Sequence, residues 1–132
     1  MPEKQTLERA RKDRKAGKSA STQAGEFVRE EIHHIREGKH GARSAKQAIA
    51  IGLSKARRAG VKLKAPKRGE TSEETRRGAE RALAAGKQHK SPSPKRSRAM
   101  SKKLKQEGRS AASHRALSRQ AHSAARRRAK SR

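Results

Sequence analysis

Two short stretches bring acid–base residue types together. EEIHH, residues 30–34, sets Glu30 three residues before His33 and Glu31 three before His34, the spacing of carboxylate-bridged metal sites in helical bundles. Such a site needs further Glu residues facing it, from a second copy of the chain. His33 projects with the polar face of its helix, so the stretch reads as a solvated or phosphate-facing histidine, with no metal and no cofactor. Ser113 beside His114 is adjacency in sequence only, because helix neighbours point about 100° apart. The chain has a single Asp, no Cys and no Tyr, and no Gly-rich phosphate loop between strand and helix. No catalytic constellation stands out and no pocket-forming core is in sight, so neither enzymatic activity nor a small-molecule substrate is expected.

The remaining chemistry is charge. In 132 residues, 38 Lys and Arg stand against 12 Asp and Glu, a formal charge of +26. Each cation set against a phosphate releases condensed counterions, a gain that needs no sequence readout. A polyanion is therefore the leading partner and nucleic acid the most abundant one. Residues 1–80 hold 21 basic and 11 acidic residues, whereas residues 81–132 hold 17 basic residues and only Glu107.

Candidate phosphate contacts fall in three groups. Around the glycine-bearing loop Gly38–Arg43, free amides at a helix start attract anions, with Lys39, Arg43 and Lys46 as side chains; Lys55, Arg57 and Arg58 offer an alternative at the far end of the same helix. SPSPKR, residues 91–96, adds Lys95 and Arg96, with Lys90 and Arg98 alongside, and Ser91 and Ser93 are suited to charge-reversing phosphorylation. In the tail, Arg115, Arg119, His122, Arg126 and Lys130 align at helical spacing, with Arg127 and Arg128 beside them. They form a cationic stripe about 22 Å long. Leu117, Ala121 and Ala124 lie opposite.

Helices must position these groups. Residues 21–41 gather Ala24, Phe27, Val28, Ile32 and Ile35 on one side of a helix, with Glu26, Arg29, Glu30, His33 and Glu37 opposite. Ser21 or Thr22 can cap its start and Gly38 stops it. Next, SAKQAIAIGLSKARRAG opens with Ser44 and Gln47 in a capping-box pattern and closes at Gly60. Ala48, Gly52 and Ala56 recur every four residues, small enough for another helix to approach closely. The short loop predicts an antiparallel hairpin with Phe27 and the Ile side chains between the helices. Ile51, Val61 and Leu63 are left to meet a third segment or a second copy. A further helix spans Ser72–Ala85, with Thr71 and Glu74 as its capping box and Gly86 as its stop; residues 87–97 read as an extended linker.

The fold class expected is all-α: a short antiparallel helical hairpin plus further short helices, with largely disordered basic arms and linkers. The divisions are a basic arm at 1–20, the hairpin at 21–63, a linker and short helix at 64–86, and the basic tail at 87–132. With only 29% hydrophobic residues and one aromatic, Phe27, the composition nears the disordered class. Order coupled to binding of a polyanion is the expectation.

The longest apolar run, AIAIGL at 48–53, falls far short of the roughly 20 residues that span a bilayer. The basic N-terminal residues are not followed by an apolar segment and so do not read as a secretory signal. Glu3, Glu8 and Asp13 argue against a transit peptide. No membrane partner is expected, since the basic tail has only Leu117 among larger apolar residues to insert.

Residues 20–63 resemble a family of small, very basic bacterial proteins that carry an uncharacterised domain and are described as DNA-binding, the segment from Gly38 to Gly60 being the most specific part. The tail RSAASHRALSRQAHSAARRR is similar to the C-terminal portion of longer members, and SPSPKR resembles the Ser-Pro-basic turns of linker-histone tails. The resemblance implies a bacterial cytosolic protein associated with the nucleoid and brings no active site. The functional expectation is sequence-nonspecific duplex DNA binding through phosphates. A ribosome- or RNA-associated role is the alternative, and a helical assembly module with possible homo-oligomers a second one.

Overall fold

The computed structural model describes residues 2–88 and 93–130. Within them the chain is all-helical: α1 (Lys4–Lys15), α2 (Ala20–Arg36), α3 (Ala45–Arg58), α4 (Glu73–Lys87), α5 (Pro94–Lys105), a 3₁₀ turn (Ser110–Ala112) and α6 (His114–Lys130). The described residues contain no strand, only an isolated bridge between Arg68 and Thr71. No helix among them is long and apolar enough to cross a membrane.

Capping sets most of the helix starts. The side chains of Ser19, Ser44, Ser72 and Ser93 accept hydrogen bonds from the amides of Thr22, Gln47, Thr75 and Arg96 respectively, each satisfying a donor the helix leaves open. α3 occupies the span its sequence pattern marks. α2 begins before the expected caps, since Ser19 rather than Ser21 or Thr22 serves. At α4 the cap is Ser72 rather than Thr71. α5 starts inside the segment read as linker: Ser93 caps it and Pro94 takes the first helical position, where proline's missing N–H costs nothing. Lys90, Ser91 and Pro92 lie outside the described residues.

α2 and α3 run in opposite directions. Ile35 and Ala48 share one buried cluster with Ala42, Ala111 and Ala112, while Phe27 and Ala56 share the other with Ala10, Ala24 and Val61. Burial of side chains as large as Phe27 and Ile35, 1% and 0% exposed, stabilises by about 1.5–3 kcal/mol each. Gly52 makes the close approach possible, since a Cβ there would lie 2.6 Å from the Val28 Cα. The row of small residues is thus covered by α2 of the same chain.

Residues 1–20, read as an arm, contain α1, which packs on α2 and buries Thr6 and Ala10. Leu7, Leu53 and Leu63 flank the cluster that holds Val61, so the third segment anticipated for Val61 and Leu63 is α1. α4 packs against α3. Gly86 is buried inside α4 rather than ending it, because a Cβ there would lie 2.1 Å from the Arg57 carbonyl oxygen.

Candidate nucleic-acid interface

The proposed cations separate by what already holds them. Lys55 is paired with Glu31, itself 1% exposed, so its ammonium is committed inside the helix packing. Arg57 is 7% exposed; it donates from Nε to the Leu63 carbonyl at 3.1 Å and from Nη2 to the Lys64 carbonyl at 2.9 Å. Burial lowers its pKa below the usual guanidinium range. Lys39 lies 3.5 Å from carboxylates of both Glu3 and Glu37. Burial works against its charge, but these acids outweigh that and raise its pKa.

The corner at Gly38–Arg43 is filled by the chain itself. The Gly41 amide donates to the Leu104 carbonyl at 2.8 Å and the Ala42 amide to the Gly108 carbonyl at 3.0 Å. The Arg43 amide donates to Gln47 Oε1 at 2.6 Å. These amides are therefore not open to an anion, although the Arg43 and Lys46 side chains are exposed. A Cβ on Gly41 would lie 2.0 Å from the Glu107 carbonyl oxygen, so glycine is what admits the segment after α5. Arg36 Nε donates to the Ala112 carbonyl at 2.9 Å, and Arg109 Nη2 to the Arg36 carbonyl at 3.0 Å. Residues 104–112 are thus clasped to the end of α2.

Beyond the clasp the cations face outward. Lys95, Arg96 and Arg98 on α5 are exposed, as are Arg115, Arg119, Arg126, Arg127, Arg128 and Lys130 on α6; Arg58 is half-buried. Neither helix contains an acidic residue. α5 buries only Leu104 and α6 buries nothing. Leu117 and Ala124 lie on the less exposed side of α6, while Ala121, expected with them, is exposed.

The acids gather on α1, α2 and α4. At α4, the hydrogen bond from Arg76 holds the Glu73 carboxyl below its ordinary pKa, and the same bond raises that of Arg76. On α2, Glu30 and Glu31 are 6% and 1% exposed, which corrects the assignment of Glu30 to the solvent face. α1 covers that face: Glu30 Oε1 accepts from Thr6 Oγ1 at 3.1 Å and from the Glu3 amide at 2.5 Å. His33 is solvated beside Glu37, with 70% of its side chain exposed. His34 instead turns inward, 2.9 Å from Glu3 Oε1, and His40 lies 3.1 Å from Glu31 Oε2. Single ligand atoms of Glu31, His34 and His40 all lie within 4.8 Å of one another, as do those of Glu3, Glu30 and His34. Sequence reasoning noticed Glu31 and His34 but missed His40 and Glu3, which only the fold brings to them.

Fold and charge define a small, strongly cationic, all-helical protein. Comparison with family models, curated proteins and solved structures finds no match to the chain.

Proposed function

We propose that this protein binds duplex DNA through its phosphates, without reading sequence, as a small nucleoid-associated or histone-like protein of the bacterial cytosol. The observation that carries the reading is the pair α5 and α6: twelve basic residues, no acid, and a single buried side chain between them. These cations are exposed on helices that carry no carboxylate of their own and, apart from Arg128, are available to neutralise a polyanion. Phe27, the sole aromatic, is 1% exposed, so no aromatic platform offers stacking to single-stranded bases, and this favours a duplex over a single strand. α1 to α4 form the folded support, while like charges at helical spacing weaken α6 on its own, so that α6 gains order on the polymer.

The test is a salt titration of affinity for a short DNA duplex, with duplex RNA of equal length as competitor. Changing Arg115, Arg119 and Arg126 together to Gln should reduce the slope of log affinity against log salt by about 2.7. Arg57→Gln, which removes a buried cation, should leave that slope unchanged. A flat salt response excludes the mechanism, and preferential binding of duplex RNA would move the function to the RNA-associated alternative.

A further inference from the structure

We propose that Glu31, His34 and His40 form a binding site for a divalent transition-metal ion of the zinc class, independent of the nucleic-acid surface. Glu31 is 1% exposed, and the side chains of His34 and His40 are 12% and 15% exposed. The three ligand atoms lie within 4.8 Å of one another. Zinc takes imidazole nitrogen and carboxylate oxygen at about 2.0–2.2 Å, so closing on the ion asks each group to move by about an ångström. Two imidazoles with one carboxylate select zinc, nickel or cobalt over magnesium and calcium, which prefer oxygen.

The hydrogen bonds around His40 and Glu31 leave the right atoms free, while His34 Nε2, now 2.9 Å from Glu3 Oε1, would have to exchange that partner for the ion if it is the ligating nitrogen. His40 Nδ1 lies 2.8 Å from the Gly41 carbonyl oxygen, an atom that only accepts, so Nδ1 carries the proton. Nε2 then faces Glu31 Oε2 at 3.1 Å. In the neutral ring these are two acceptors, and the arrangement holds only with a cation between them, a proton or a metal. An Nδ1–H bound to a backbone carbonyl is the orientation that prepares Nε2 as a ligand. Lys55 occupies Glu31 Oε1 and leaves Oε2 to the ion.

A second observation comes from the neighbouring group that shares His34. Glu30, 6% exposed, has a buried Oε2 with no hydrogen-bond partner. It belongs with Glu3 and His34 to the overlapping ligand group. Three carboxylates, Glu3, Glu30 and Glu31, thus lie about the two histidines, with Lys39 paired to Glu3 and Lys55 to Glu31. An ion held by Glu31, His34 and His40 would tie α2 to the loop after it.

The experiment is calorimetric titration of the metal-free full chain with zinc chloride at pH 7 and pH 5, without nucleic acid. One equivalent is expected to bind at pH 7 and more weakly at pH 5, because protons compete for the histidines. His40→Gln should weaken binding at least tenfold, and His33→Gln should not change it. As a check that needs no variant, zinc should shift the imidazole NMR signals of His34 and His40 and leave those of His33, His114 and His122 in place. Absence of a saturable site, equal loss in His33→Gln and His40→Gln, or shifts spread over all the histidines would overturn the proposal. None of these results bears on the salt slope of DNA binding, so the two readings fail separately.

Discussion

Glu3 shows how one exposed side chain can govern the docking of a helix. It precedes α1, and the hydrogen bond from His34, outweighing burial, holds its carboxyl below the ordinary value of 4.5, with help from the charges of His34 and Lys39. Because the folded-state pKa is the lower one, the stabilisation is complete above about pH 4.5 and disappears as pH falls through the depressed value. Amides of α1 should therefore lose hydrogen-exchange protection on acidification through that window, before those of α3 do. Glu3→Gln should flatten the early loss. Unchanged acid sensitivity in that variant would mean that Glu3 does not fasten α1. The acids and histidines at this junction show what residue types alone conceal. Periodicity sends Glu30 to solvent because a carboxylate normally belongs there, and nothing in the sequence marks Thr6 or the Glu3 amide as its partner.

Among the elements, α3 was the most legible, since Ser44, the recurring small residues and Gly60 all carry local signals. α1 was not, because its start is Glu3 without a side-chain cap bond and its buried face is Thr6 and Ala10, too polar and too small to make an apolar stripe. RAMSKKLKQEG, residues 98–108, reads as helical on propensity, so only the start of α5 was misplaced: proline next to serine serves equally as a linker and as a helix start, and Ser93–Pro94 is the second. The α2–α3 seam gives a sharp test. Gly52→Ala gains helix propensity of about 1 kcal/mol, yet its methyl would sit 2.6 Å from the Val28 Cα and 2.9 Å from Val28 Cγ2. Backbone cannot yield as a side-chain tip does, so overpacking should win, with a net loss of about 1–3 kcal/mol in urea denaturation. A neutral or stabilising result would mean that the helices can separate without cost.

At the scale of the molecule, the chain divides its labour by charge. Carboxylates are spent on packing α1–α4, where they neutralise Lys39, Lys55 and Arg76, and the C-terminal helices are left with cations only. The uneven charge was readable in the sequence, whereas the division between committed and outward-facing cations was not, since Lys55 and Arg57 differ from Arg58 only in what the fold puts beside them. This division predicts a dissociation of stability from binding. Removing residues 114–132 deletes α6, which buries no side chain, while keeping Ala111 and Ala112 in the core and the bond from Arg36 to the Ala112 carbonyl. Thermal stability should change by no more than about 0.5 kcal/mol, as for surface changes elsewhere. The seven basic residues removed, six on α6 and Arg132, should nonetheless take about six from the salt slope of duplex binding if all of them meet phosphates. The opposite pattern, a large loss of stability with the slope intact, would make α6 a brace for the fold and put the polyanion surface on α5 and the start of α3.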